Sequence, residues 1–194
     1  MSATIAQPKQ SQPEIFWGEI APCEHLIQIY SGDAEFLDAL ERFAAGGIQG
    51  GDAVVVIATP AHLHPLEERL LARGFNLAAA RERDQYIPLN AAETLSKFMV
   101  KAWPDDERFH RLIRNLLSRG RAGGRRVRAL GEMVAVLWAQ GRSGATVRLE
   151  KLWHELCKTE PLSLFCTYPR MGLTRDPEDS MKEICATHSR VFTE

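Results

Sequence analysis

The chain has 194 residues, 45% of them hydrophobic and 25% charged, with a formal net charge of -1 at neutral pH. That length suffices for one domain with a sizeable core, and the near-neutral balance gives no global attraction to nucleic acid or to an acidic membrane surface. No apolar run reaches the ~20 residues that cross a bilayer, and no basic-then-apolar leader opens the chain, so the expected location is cytoplasmic.

Residues 1–14, rich in Gln, Ser, Ala and Pro without a hydrophobic period, read as a disordered tail before a single domain over 15–194. His25-Leu-Ile-Gln-Ile-Tyr30 is the first strand, closed by Ser31-Gly32, after which Phe36, Leu37, Leu40 and Phe43 fall at helical spacing, with Asp33 as a candidate N-cap. Ala53-Val-Val-Val-Ile-Ala58 is an unbroken apolar run of the kind buried on both faces in a parallel sheet. Thr59-Pro60 then supplies an N-cap and first-turn proline for a helix bearing Leu63, Leu66 and Leu70. Tyr86-Ile-Pro-Leu89 reads as an edge strand because Pro88 cannot donate to a ladder. Asn90 and Glu93 resemble a capping box for a helix expected to carry Leu95, Phe98 and Met99, and another helix starts near Asp105.

Val127-Arg-Ala-Leu130 predicts a buried strand that breaks at Gly131 and passes into a helix carrying Val134, Leu137 and Trp138. A helix with Leu149, Leu152, Trp153 and Leu156 follows, then the strand Ser163 to Thr167, a last helix from Asp176-Pro177, and an edge strand at Arg190 to Thr193. Alternating strands and helices imply an α/β fold with a mostly parallel central sheet and helices on both faces. The carboxyl ends then share one rim, where open α/β sheets bind ligands, collecting Tyr30 to Asp33, Thr59-Pro60, Leu89-Asn90, Gly131 to Met133 and Thr167 to Pro169.

The chemistry of that rim is sparse. A P-loop needs GxxxxGK[ST], and no lysine follows a glycine here, so phosphoryl transfer is not expected. Glu132 stands where strand becomes helix, open to three readings: a helix cap, a ligand-binding group or a general base. His25 and Ser31 lie at opposite ends of a strand roughly 15–20 Å long, too far for a nucleophile and its base. His62 and His64, two apart on a helix, point to different sides and read as a solvated pair, so spacing suggests no metal set. Arg119, Arg121, Arg125, Arg126 and Arg128 lack interleaved aromatics and read as a solvated loop more than a nucleic-acid surface. The four cysteines form no CxxC pair, and Cys166, inside an apolar run, reads as a small core residue.

Taken together, His25-Leu-Ile-Gln-Ile-Tyr30, Ala53 to Pro60, Val127-Arg-Ala-Leu-Gly-Glu-Met-Val134 with Leu137-Trp138, Leu149 to Trp153, Leu164 to Pro169 and Ile184-Cys185 with His188-Ser189 resemble the MEDS domain. This is the sensory domain named after methanogens, methylotrophs and the repressor controlling dichloromethane dehalogenase. The resemblance implies a three-layer sandwich similar to RecA and KaiC but without the Walker A loop. It also implies a sensory role with a small hydrocarbon derivative as ligand; beside it, the sparse chemistry of the rim leads to the expectation of a non-catalytic domain with no cofactor and no metal. Carried over residue by residue, the resemblance marks His25, Tyr30, Gly131, Glu132, Met133, Trp138, Tyr168 and His188. Among these, Tyr30, Glu132, Met133 and Tyr168 fall at strand ends and would suit a small, mostly apolar ligand, with Gly131 supplying the turn. The expected output is contact with a separate regulatory protein, a kinase or transcription regulator, or with a second copy; direct nucleic-acid binding is not expected. The alternative is an interaction module with a degenerate ATPase-like core and no small ligand.

Overall fold

A computed structural model describes residues 24–169, 182, 184–186 and 188–193. The expected tail and the start of the last helix lie outside these residues. Eight strands are described: β1 (His25–Tyr30), β2 (Ala53–Ala58), β3 (Tyr86–Asn90), β4 (Met99–Val100), β5 (Trp103–Pro104), β6 (Val127–Gly131), β7 (Leu162–Pro169) and β8 (Arg190–Thr193). The helices are α1 (Asp33–Gln49), α2 (Pro60–Ala72), α3 (Leu77–Glu82), α4 (Ala91–Ser96), α5 (Asp106–Gly120), α6 (Met133–Ala139) and α7 (Ser143–Thr159).

Six strands form one sheet in the order β3-β2-β6-β7-β1-β8, with every pairing parallel. Strand residues alternate between two cores. Val54, Val56, Leu130, Phe165, Leu26 and Tyr30 pack with α1, α2 and α3, whereas Val55, Ile57, Ala129, Cys166, Tyr168 and Ile27 pack with α4 to α7. The chain is therefore a three-layer α/β sandwich. Only Ser31 and Gly32 separate β1 from α1, which leaves no room for a phosphate-wrapping loop.

Several local expectations are corrected. The helix opened by Asn90, whose side chain accepts from the amides of Ala92 and Glu93, stops at Ser96. Met99-Val100 instead pairs antiparallel with Trp103-Pro104, in a hairpin whose Lys101 and Ala102 have positive φ, so Phe98 is buried beyond the helix end. Gly131 belongs to β6 and has no positive φ; the turn is made by Glu132, at φ -86 and ψ -4. The arginine-rich segment is only partly a solvated loop. Arg128 is 2% exposed on the α1 side of β6, donating from Nε (3.0 Å) and Nη2 (2.5 Å) to Oδ2 of buried Asp52, with its guanidinium over the Phe43 ring. Alternation forces this: Val127 and Ala129 face one core, so Arg128 must face the other. Arg126 Nε reaches Oδ1 of the same Asp52, Arg121 pairs with Glu160 and Arg119 with Asp84. Arg121, Arg125 and Arg126 line a hollow of about 320 Å³ at the amino end of the sheet, away from the rim.

Candidate functional site

Most of the candidate residues fall into two clusters on opposite faces of the sheet. On the α1–α2 face, Glu132 is 4% exposed and sits between β6 and α6. As N-cap residue of α6 its side chain makes no capping bond to that helix. It reaches instead across the rim to the residue that opens α2. Oε2 accepts from the Thr59 amide at 2.7 Å and the Thr59 hydroxyl at 3.2 Å, and Oε1 lies 2.8 Å from His62 Nδ1. The strand-end geometry fixes this approach, since the Glu132 amide continues the ladder by donating to the Ile57 carbonyl at 2.8 Å. Of the three readings, a cap on its own helix is therefore not what Glu132 does; it ties the ends of β2 and β6 together through the first turn of α2.

His62 is the residue that spacing misassigns. It is buried, while His64 is exposed, so the two are not a solvated pair. The available signal was its place at i-4 from Leu66 and i-8 from Leu70, on the apolar stripe. Its ring meets Phe36 edge-on at 4.6 Å, Phe36 stacks on Tyr30 at 4.7 Å, and Nε2 lies 3.9 Å from the exposed Asp33 carboxylate. Burial alone would lower the His62 pKa, but the hydrogen bond and charge of Glu132, with the charge of Asp33, outweigh it and raise it. Burial and the same two carboxylates push the Tyr30 phenol upward, so it stays protonated. Two further polar groups share this face below Tyr30. Gln28 and Thr167 are register partners on β1 and β7, and Gln28 Oε1 and Thr167 Oγ1 are buried with no hydrogen-bond partner among the described residues.

The other cluster lies on the α7 face. His25, at the amino end of β1 and not on the rim, places Nε2 3.4 Å from Cys166 Sγ and 3.5 Å from Glu150 Oε2. His188 brings its Nε2 within 3.5 Å of the same Glu150 oxygen, and its Nδ1–H donates to the Ile184 carbonyl at 2.7 Å. The two imidazoles are 3.8 Å apart, centroid to centroid. Tyr168, fully buried, donates its hydroxyl to Glu150 Oε1 at 2.5 Å. Burial raises the Cys166 thiol and the Tyr168 phenol, and the Glu150 charge raises both further. Against its burial, Glu150 is held below the ordinary carboxylate range by His25, His188 and Tyr168. Burial pushes His188 down to about 4.

Of the candidate ligand-binding residues, four of them expected on the rim, Tyr30 and Glu132 thus share one cluster and Tyr168 joins His25 and His188 in the other. Met133 joins neither; it is 0% exposed in the core beneath α6. Glu150 was not anticipated, although an acid flanked by Leu149, Leu152 and Trp153 on an apolar helix stripe is a readable signal. Among the described residues no helix is long and apolar enough to cross a membrane. Comparison with curated proteins gives no match. The family model for MEDS, the methanogen/methylotroph, DcmR sensory domain, matches residues 24–189, nearly all of this sheet and its helices, and the chain belongs to that family of sensory domains.

Proposed function

We propose that the chain is a non-catalytic sensory domain that takes a small organic molecule at the carboxyl rim, on the α1–α2 face, and signals by contact with a separate regulatory protein. The observation that carries this reading is the pair Gln28 Oε1 and Thr167 Oγ1, adjacent, buried and unmatched among the described residues, directly below Tyr30. Buried polar atoms are nearly always paired, and a pair left over at the ligand-binding end of an α/β sheet points to a guest that supplies the partner. Tyr30 and Phe36 offer apolar ring surface, and Glu132 with His62 a polar wall that connects the ends of β2 and β6. The Glu132 oxygens are taken up by Thr59 and His62 among the described residues. That supports binding over turnover.

A panel of one- to three-carbon alcohols, amines and halogenated alkanes tests this by thermal melting, because a ligand that prefers the folded state raises the transition temperature. The double substitution Gln28→Met with Thr167→Val is expected to abolish any such shift while leaving the unliganded protein at least as stable, since it removes unmatched polar groups at nearly constant volume. No shift from any compound, or a large loss of stability in the double variant, contradicts the reading. The second reading is an interaction module without a ligand. It is favoured by one feature, the hairpin where Val100 faces Trp103, leaving the indole 51% exposed.

A further inference from the structure

The α7-face cluster has the composition and spacing of a metal centre, with two imidazole–carboxylate contacts longer than direct hydrogen bonds and two sulfur contacts at hydrogen-bond length. Direct charge-assisted bonds between an imidazole and a carboxylate close to about 2.7–2.9 Å, as His62 and Glu132 do at 2.8 Å on the other face. His25 and His188 both stop at 3.5 Å from Glu150 Oε2, Cys166 Sγ at 3.6 Å, and His25 Nε2 is 3.4 Å from that sulfur. Ligands at roughly 2.0–2.3 Å from a tetrahedral cation are separated from one another by about 3.3–3.8 Å. The four measured edges fall in that interval, and all four donor atoms lie within 4.8 Å of one another.

The surroundings fit as well. His188 Nδ1–H is held by the Ile184 carbonyl, which aims the Nε2 lone pair into the cluster, and the Tyr168 hydroxyl occupies Oε1 of Glu150, leaving Oε2 for the centre. Both are the outer contacts that orient metal ligands. A thiolate and a carboxylate bring two negative charges, so a divalent cation leaves the buried site neutral, and sulfur with imidazole selects zinc-class ions over magnesium or calcium. We propose that His25, Glu150, Cys166 and His188 bind one divalent transition-metal cation of the zinc class, closing a four-ligand site that pins β1 and the segment before β8 to α7 and β7. Binding forms a metal–sulfur bond and releases the Cys166 thiol proton to solvent; no electron is transferred.

The test uses the full chain, purified with and without chelator, then titrated with Co²⁺ alone and Zn²⁺ alone. Expected are one equivalent of metal, a near-ultraviolet thiolate-to-cobalt band with the strong visible bands of tetrahedral Co²⁺, loss of those bands on adding Zn²⁺, and a higher melting temperature. Cys166→Ser should eliminate the thiolate band, while Cys157→Ala, which removes a buried cysteine outside the four, should keep it. Tyr168→Phe should weaken Zn²⁺ binding by about 10- to 100-fold, as loss of an outer-sphere partner does. A folded wild-type protein that shows neither the cobalt spectrum nor a melting shift with either ion would falsify the proposal. So would a thiolate band that persists in Cys166→Ser.

Discussion

At the residue scale, His62 shows how a buried carboxylate turns a surface-type residue into a structural one. Its pKa is raised in the folded chain, so the protonated imidazole stabilises the fold. That contribution is fully present below the ordinary histidine value of about 6.5 and is lost as pH rises through the folded value. The melting-temperature difference between wild type and His62→Gln should therefore be largest in mild acid and shrink as pH rises past neutrality; a difference that grows with pH contradicts the assignment. In Glu132→Gln, where burial remains but the partner charge is gone, the His62 titration followed by NMR should move downward. The same substitution should cost about 1.5–3 kcal/mol in urea unfolding, the range for a hydrogen bond to a charged group. Part of this was legible beforehand: Glu132 was singled out from the strand-to-helix break. Its partner was not, because Thr59 and His62 lie 73 and 70 residues away and only the pairing of β2 with β6 brings them near.

At the element scale, β6 carries an arginine into a fully buried strand and anchors it from the loop before β2. Removing one partner of a buried ion pair strands the other charge, at a cost of about 3–5 kcal/mol. Asp52→Ala should thus lower the melting temperature by about 6–20 °C for a domain of this size, and Asp52→Leu combined with Arg128→Met should recover most of the loss. If the double variant is no better than the single one, the cost lies in packing and not in the orphaned Arg128. Most elements were readable from period and punctuation: the apolar run of β2, Pro88 at an edge, Asn90 and Asp105 at helix starts. Three misread residues share a cause. Arg128, His62 and Glu150 are charged or titratable residues on apolar faces, and polarity masks a burial that only the period of the flanking apolar residues betrays, two on the strand and about 3.6 on the helices.

At the scale of the whole molecule, a mostly parallel sheet was implied by the βα alternation, but strand order was not, since every order with right-handed crossovers satisfies the same periodicity. That order decides which residues meet. Because β1 lies between β7 and β8, His25 faces Cys166 from a distance of 141 residues along the chain. Deleting β8 leaves β1 as an open edge, with unpaired backbone groups that template association. A chain ending before Arg190 should melt lower and self-associate with concentration in sedimentation velocity, whereas one that stays monomeric with unchanged melting shows β8 to be dispensable.

The same placement of β1 orders events in time during synthesis. β1 has neither neighbour until the end of the domain has also emerged, whereas β2 and β3 are separated by one crossover. Non-local pairing is slow because loop closure must precede the contacts that reward it. The nascent chain must therefore hold Leu26, Ile27 and Ile29 uncommitted through translation of almost the whole domain, a span in which an apolar strand is the natural quarry of chaperones that bind extended segments.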